Sequence, residues 1–207
     1  MVGWYQDQIV PRLVDCACGA RAIRRWRQRA AEGLAGSVVE IGFGSGLNVP
    51  FYPGDVSLVW AVEPSVVATG RAATRVENSP IPVEFVGLDA RALALADESC
   101  DAALCTFTLC TVPDVALVLS EIRRVLRPGG RLHLLEHGLS PEGSVARWQR
   151  RLDPLERRVA GGCHLTREPL ALVTEAGFVE RWSEQRYAKG PKPWSYFTVA
   201  VAEKPLG

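Results

Sequence analysis

The sequence has no excess of charge of either sign. Lysine and arginine together number 24 and aspartate and glutamate 23, which leaves a formal net charge of +1. Proteins that bind nucleic acids or acidic membranes do so through clustered positive charge. The arginines between residues 147 and 158 are partly offset by Asp153 and Glu156. We therefore expect no nucleic-acid partner.

Long hydrophobic runs are also missing. The least polar stretch, residues 102–113, is well short of the roughly 20 apolar residues that a transmembrane helix needs. The N-terminal segment contains Asp7 and no apolar core of the kind that defines a secretory signal. We expect a cytoplasmic protein without stable membrane insertion.

The cysteines lack the spacing of a zinc site. None forms a CxxC pair, and the closest two are Cys16 and Cys18. The others are Cys100, Cys105, Cys110 and Cys163. Zinc sites usually contain two closely spaced ligand pairs. We expect no metal, and we expect the thiols to be reduced and to pack as small hydrophobic side chains.

Short apolar segments alternate with helical patterns from residue 37 onwards. The segments are 37–41, 56–62, 83–86, 102–106 and 131–135. Continuous apolar strands of this length are typical of a parallel sheet covered on both faces. Residues 115–126 carry one apolar stripe, with Asp114 placed to cap the helix and residues 127–130 placed to end it. The pattern predicts a doubly wound α/β fold.

The flanking segments complete a single domain, residues 1–207. Residues 1–35 are helical and basic. They lie over the core with a solvated face, form a lid over a ligand, or form a patch that touches a membrane surface. Residues 36–137 form the core and 138–166 an insertion that could cap a ligand. Residues 167–207 supply a closing helix near 167–176 and strands near 178–187 and 194–202. The expected sheet is seven-stranded and mostly parallel.

Glycines follow the first strand at alternate positions. Residues 40–48 read Glu-Ile-Gly-Phe-Gly-Ser-Gly-Leu-Asn. Such glycines let the backbone approach a ligand, and we expect the next helix to offer its N-terminus to negative charge. The second strand ends at Glu63, whose carboxylate can accept both hydroxyls of a ribose. Asp89 follows the third strand and could accept from an adenine amine.

Together these features resemble the class I S-adenosylmethionine-dependent methyltransferases. The segment 124–130, Arg-Val-Leu-Arg-Pro-Gly-Gly, is also typical of that superfamily. The resemblance covers residues 36–137 and implies that S-adenosyl-L-methionine is the cofactor. The residues that it implies for cofactor binding are Glu40, Gly42, Phe43, Gly44, Gly46, Asn48, Glu63, Pro64, Asp89, Ala90, Thr106 and Phe107. Thr106 and Phe107 would face the methyl-bearing sulfonium.

Three further segments, 104–112, 135–138 and 161–167, resemble the group that contains the mammalian alkyl-thiol S-methyltransferases and their bacterial relatives. This likeness implies a small, largely apolar acceptor with a thiol as the leading candidate. His137, just past the fifth strand, and His164, in the insertion, are the candidate catalytic bases, although each could be structural. His133 lies inside a strand, where packing is expected.

Other interpretations remain open at this stage. Glu63 and the glycine turn also fit a nicotinamide-dependent oxidoreductase, but the spacing is GxGxG and not GxGxxG, and no tyrosine has a lysine four residues later. A module that binds the cofactor without catalysis is a third alternative. Arg167 could steer an anion or form an ion pair, and Trp148 and Tyr187 could line a pocket or pack. The oligomeric state is open.

Overall fold

The fold is a seven-stranded sheet with helices on both faces. The structure, a computed structural model, describes residues 9, 10, 12, 15 and 18–206. The strands are β1 (Gly36–Ile41), β2 (Val56–Val62), β3 (Val83–Gly87), β4 (Cys100–Thr106), β5 (Leu126–His137), β6 (Val179–Tyr187) and β7 (Tyr196–Glu203). The helices are α1 (Arg21–Ala31), α2 (Val66–Glu77), α3 (Val115–Val125), α4 (Gly143–Val159), α5 (Pro169–Glu175) and α6 (Lys192–Ser195).

The strand order is β3-β2-β1-β4-β5-β7-β6. Strands β1 to β5 are parallel, whereas β7 is antiparallel to both β5 and β6. The strand order reverses between β1 and β4, and in open α/β sheets the crevice at such a switch point binds ligands. The structure confirms the predicted doubly wound, mostly parallel sheet.

Alternate residues of the central strands enter two separate hydrophobic cores. Val39 of β1 and Cys105 of β4 pack with α3 on one face. Val38 and Leu104, their neighbours in sequence, pack with α1 on the other face. Because successive side chains of a strand point to opposite faces, strands buried on both sides must be apolar throughout. This explains the continuous apolar runs of the sequence.

One local prediction is wrong, and one strand begins earlier than expected. The helix expected directly after β1 is replaced by one 3-10 turn, Val49–Phe51. Pro50 and Pro53 lie in this connection, and proline lacks the N–H group that a continuing α-helix would need. Helix α3 ends at Val125, as expected from residues 127–130, but these residues are already part of β5, which begins at Leu126 instead of near residue 131. The amide of Gly129 donates to the Lys204 carbonyl and extends the strand pairing.

The N-terminal segment contributes to the core as well as to the ligand side. Of the expected lid, residues 1–8, 11, 13, 14, 16 and 17 lie outside the described residues. In α1, Trp26, Ala30 and Ala31 are buried in the hydrophobic core. Helix α1 is therefore a packed layer of the domain, and the lid and cap functions remain predictions.

Candidate active site

Two adjoining cavities lie at the carboxyl edge of the sheet. The smaller cavity, of about 550 Å³, is lined by residues of the glycine turn, by Glu63 and by Asp89. The larger cavity, of about 1080 Å³, is lined by parts of α1, α2, α4 and β7. Glu63 and Phe107 line both cavities. Shared walls of this kind place two ligands next to each other.

The glycine turn has a backbone that only glycine adopts without strain. Gly42, Gly44 and Gly46 have φ angles of 70°, 59° and 73°. A Cβ atom added to Gly42 would lie 2.2 Å from the Thr108 hydroxyl oxygen, which is far inside contact distance. The alternating pattern therefore has a steric cause, since each of these positions needs left-handed backbone. Gly42, Phe43 and Gly44 line the smaller cavity.

Glu63 is held by two backbone amides at the end of β2. The amide of Gly44 donates to Oε2 at 2.8 Å, and the amide of Ser65 donates to Oε1 at 2.8 Å. Only 8% of the residue is exposed, and burial raises the pKa of its carboxyl against the lowering effect of these two hydrogen bonds. Each carboxylate oxygen has two lone pairs, so one on each oxygen is left for a ligand.

Glu40, Gly46 and Asn48 lie outside the lining of the smaller cavity. Glu40 is fully buried and accepts from the Asn48 amide at 2.9 Å and from the Tyr52 hydroxyl. Burial raises its pKa to about 7, although these hydrogen bonds oppose the shift. Arg27 of α1 is buried in the same group and donates to Asn48 Oδ1 at 2.8 Å. Glu40 thus accepts hydrogen bonds from residues that follow the glycine turn and does not line the cavity. The sequence pattern alone does not show this position.

The remaining predicted cofactor residues do line the smaller cavity. They are Pro64, Asp89, Ala90, Thr106 and Phe107. The Asp89 carboxylate lies at the exposed rim, where it forms an ion pair with Arg91 at 2.9 Å. The Thr106 hydroxyl accepts from Arg27 at 2.9 Å.

Phe107 occupies a strained position directly after β4. Its φ angle is 54°, which is uncommon for a residue with a bulky side chain. Its amide donates to the Leu135 carbonyl at 2.8 Å, which holds the turn against β5. Residues kept in such conformations cluster at functional sites. Here the strain places an aromatic ring between the two cavities.

A cluster of two cysteines and one histidine lies in the wall of the larger cavity. It consists of Cys110, His137 and Cys163. The ligand atoms of these three side chains lie within 4.8 Å of one another, and His137 Nε2 is 2.9 Å from the Cys163 sulfur. His137 Nδ1 is buried without a hydrogen-bond partner. Cysteine spacing argued against a metal site, but residues far apart in sequence meet here.

The segment 161–167 is folded so that it delivers Cys163 to this cluster. Gly161 and Gly162 have positive φ angles, and a Cβ atom on Gly162 would lie 3.3 Å from the Thr111 carbonyl oxygen. The backbone amide of His164, directly after Cys163, donates to the Cys110 carbonyl oxygen at 2.8 Å. The Arg167 guanidinium donates to the Leu109 carbonyl. Arg167 therefore positions the loop that carries Cys110.

Glu136 positions the turn that carries Cys110. It was not identified as a functional residue from the sequence. It is fully buried, and its Oε1 accepts from the amides of Thr108 at 2.7 Å and Leu109 at 2.8 Å. The amide of Cys110 is 3.3 Å from Oε2. An acidic residue just before the end of a buried strand is the one signal that could have indicated this role.

The electrostatics of the cluster differ from those of isolated side chains. The hydrogen bond from Cys163 and the nearby His137 hold the pKa of Cys110 well below its usual range, although burial opposes the shift. Burial lowers the pKa of His137, but the negative charge on Cys110 outweighs it and raises the pKa above its ordinary value. The pKa values of Cys110 and His137 therefore depend on each other.

The other predicted candidates lie elsewhere. His164 is outside the lining of both cavities, with Nδ1 4.0 Å from an oxygen of Asp153. His133 is buried and donates through Nδ1 to the Ala30 carbonyl at 2.9 Å, as expected of a packing residue. Trp148 is 57% exposed. Tyr187 and Ser140 share a hydrogen bond of 2.6 Å, and neither lines a cavity.

Comparison with known proteins decides between the interpretations. Residues 39–134 match the family model of a methyltransferase domain. Thiol S-methyltransferase TMT1B of Homo sapiens is 36% identical over 174 residues, which cover 81% of this chain and 69% of the relative. The protein of the same name from Rattus norvegicus is 36% identical over 167 residues, covering 79% and 66%. The chain spans about two thirds of the length of these relatives.

The chain belongs to the S-adenosylmethionine-dependent methyltransferase family that contains these two proteins. Its fold agrees. The solved structure of an S-adenosylmethionine-dependent methyltransferase of Thermotoga maritima, a possible histamine N-methyltransferase, has a TM-score of 0.70 and 23% identity, covering 99% of this chain and 100% of that one. At this identity the likeness concerns the fold alone. Within the described residues, no helix has the length and apolar character needed to cross a bilayer.

The smaller cavity of this methyltransferase fits S-adenosylmethionine. Each carboxylate oxygen of Glu63 keeps a lone pair that could accept from a ribose hydroxyl, and the glycine turn, which carries no side chains at Gly42 and Gly44, lines the same cavity. Asp89 and Ala90 border the side expected for adenine, and Phe107 lies where the cavity meets its larger neighbour. A volume of about 550 Å³ is in the range of ordinary small-molecule sites.

Proposed function

We propose that this methyltransferase methylates the sulfur of a small, largely apolar thiol. The observation that carries the proposal is the larger cavity, which adjoins the cofactor cavity at Phe107 and has the Cys110–His137–Cys163 cluster in its wall. The curated relatives support it, since their names state thiol S-methyltransferase activity.

Apolar side chains dominate the rest of the larger cavity. They include Ile23, Val66, Val67, Val159, Trp194 and Phe197. Burying each methylene of an alkyl chain against such groups contributes about 0.8 kcal/mol. An alkyl acceptor would therefore bind through its chain, with its reactive group at the cluster.

The chemistry that the protein has to supply is modest. When bound, S-adenosylmethionine provides a methyl group already activated by the positive sulfonium. The protein must hold the acceptor sulfur in line, which can contribute several kcal/mol by removing orientational freedom. It must also remove the thiol proton, because the thiolate is the nucleophile and an ordinary thiol has a pKa of about 8.5. We assign this proton to His137, the basic member of the cluster.

Product analysis over a panel of acceptors tests the proposal. The purified protein is incubated with methyl-deuterated S-adenosylmethionine and with matched sets of alkyl thiols, alcohols, phenols and amines of equal chain length, and products are identified by mass spectrometry. We expect labelled thioethers that form faster with longer alkyl chains. Products confined to phenols or amines would contradict the thiol assignment and leave the family assignment intact.

A binding experiment addresses the alternative cofactor. Thermal stability is measured with S-adenosylmethionine, with S-adenosylhomocysteine and with NADH, because a ligand that binds only the folded state raises the unfolding temperature. We expect the first two to stabilise the protein and NADH to have no effect. Stabilisation by NADH alone would favour the oxidoreductase that the glycine turn first allowed.

We also propose a reducing compartment, the cytoplasm, as the site of action. The five described cysteines are free, and they include Cys110 and Cys163, whose sulfur atoms are close together. Disulfides persist mainly in oxidising compartments. Cell fractionation with detection of the free thiols is the corresponding test, and a Cys110–Cys163 disulfide in freshly lysed cells would contradict it.

A further inference from the structure

We infer that Cys110, His137 and Cys163 bind one Zn²⁺ ion, and that the acceptor thiol takes the fourth position of that ion. The inference deepens the proposed function and rests on it only for the identity of the fourth ligand. Two thiolates and one imidazole, with one open position, are a ligand set that zinc enzymes use for catalysis. Soft sulfur ligands favour zinc over magnesium or calcium.

The distances are close to those that a tetrahedral ion requires. Zinc–sulfur bonds of about 2.3 Å and zinc–nitrogen bonds of about 2.0–2.1 Å separate neighbouring ligand atoms by roughly 3.4–3.8 Å. The three ligand atoms already lie within 4.8 Å of one another, and the His137–Cys163 contact of 2.9 Å would widen slightly. A separation as wide as 4.8 Å would have to shorten by about 1 Å to reach this range, which side-chain rotation can supply.

The surrounding backbone holds two of the three ligands in place. Glu136 fixes the turn that carries Cys110, and the His164 amide ties the segment of Cys163 to the same turn. The third ligand, His137, is at the end of β5 between paired strands. Ligands held by rigid neighbours lose little conformational freedom when the ion binds.

The larger cavity gives a fourth ligand access to the three side chains. Because Cys110, His137 and Cys163 all line this cavity, an acceptor thiol bound in it could reach an ion that they hold. When a thiol binds there, its S–H bond breaks, a zinc–sulfur bond forms and the proton passes to water. The sulfur is then held as a thiolate. In the metal-loaded protein His137 is a ligand through Nε2 and cannot accept the thiol proton. Proton loss to water therefore replaces the route through His137, which applies only when no ion is bound.

Cobalt substitution tests the site without any methyl transfer. The protein is treated with a chelator under a non-thiol reductant and titrated with Co²⁺ alone. We expect one equivalent to bind, with the absorption of a tetrahedral cobalt ion and a sulfur-to-cobalt charge-transfer band that Zn²⁺ abolishes. Adding an alkyl thiol should intensify this band, because a third sulfur joins the ion. A wild-type protein without the band would overturn the inference.

Matched cysteine variants identify the ligands. Cys163→Ser, in a partly exposed loop, should weaken zinc affinity by at least about 100-fold, since even outer-shell partners of metal ligands contribute 10–100-fold. Cys18→Ser removes another thiol of the same cavity and should leave the band unchanged. Equal bands in Cys163→Ser and wild type would contradict the assignment, and circular dichroism shows whether each variant is folded.

The two proposals can fail separately. A protein that binds no ion but methylates thiols contradicts the zinc site and supports the proposed function. A protein that binds one ion at these ligands but methylates no thiol supports the metal site and contradicts the thiol acceptor.

Discussion

The two cavities are built in different ways. The smaller cavity takes its polar groups mainly from short motifs at the ends of neighbouring parallel strands, such as the glycine turn after β1, the Glu63–Ser65 end of β2 and Asp89 after β3. The larger cavity takes its polar cluster from three distant segments that meet only in the folded chain. Cofactor binding therefore depends on local motifs and backbone, whereas acceptor chemistry depends on tertiary packing. Single substitutions should therefore change cofactor affinity and thiol turnover separately.

The largest effect is expected for His137→Gln, which removes the basic group of the larger cavity. Thiol turnover should fall by about 10²–10⁴-fold, while the affinity for S-adenosylmethionine stays within about twofold. Steady-state kinetics gives both quantities. His164→Gln is the matched control, since His164 lines neither cavity and its loss should leave turnover nearly unchanged. A comparable fall in both variants would show that the histidine effect is structural.

Glu40→Gln tests whether the buried carboxyl next to the glycine turn has a raised pKa in the folded protein. The pKa of Glu40 is raised by burial to about 7, so between about pH 4.5 and 7 the folded state holds a proton that the unfolded state releases. Wild-type stability therefore falls as the pH rises through this window, and Gln cannot take part. The stability difference should shift in favour of the variant by up to about 3 kcal/mol.

Urea unfolding at pH 5 and pH 7.5 measures this difference. Glu63 and Glu136 also have raised pKa values, but they titrate in both proteins and cancel in the comparison. Parallel stability curves for wild type and Glu40→Gln would contradict the buried, protonated carboxyl.

Glu63→Gln should affect cofactor binding more than acceptor chemistry, although Glu63 lines both cavities. A charged hydrogen bond contributes about 1.5–3 kcal/mol, so the loss of charge at the ribose acceptor should weaken cofactor binding at least about tenfold. Turnover at saturating cofactor should change much less. Calorimetry with S-adenosylhomocysteine measures the affinity, and Glu84→Gln, at an exposed position of β3, is the control. Unchanged affinity would show that the ribose lies elsewhere.

The smallest effect is expected for Trp148→Ala. Trp148 lies on α4 with 57% of its surface exposed and lines neither cavity. Surface substitutions away from special features usually change stability by less than about 0.5 kcal/mol. Thermal unfolding and thiol turnover should both remain near wild-type values. A marked loss of turnover would extend the acceptor site beyond the larger cavity.

The same contrast explains what the sequence could predict. The parallel strands and the glycine turn follow from apolar runs and local motifs, because parallel strands buried on both faces carry a strong local signal. The α-helix expected after β1 does not form. Pro50 and Pro53 lie in that connection and lack the N–H groups that an α-helix needs. The meeting of Cys110 with Cys163 had no local signal, and the role of Glu136 was indicated only by its place near the end of a buried strand. Both arise from contacts between segments distant in sequence.

The most direct test of adjoining cofactor and acceptor sites is calorimetry with adenosine 5′-thioethers of increasing alkyl length, from methyl to octyl. The adenosine part should occupy the smaller cavity through Glu63, and the alkyl chain should extend past Phe107 into the larger one. Affinity should then rise by up to about 0.8 kcal/mol for each added methylene until the larger cavity is crossed. Affinity that is constant or falls with chain length would contradict the account.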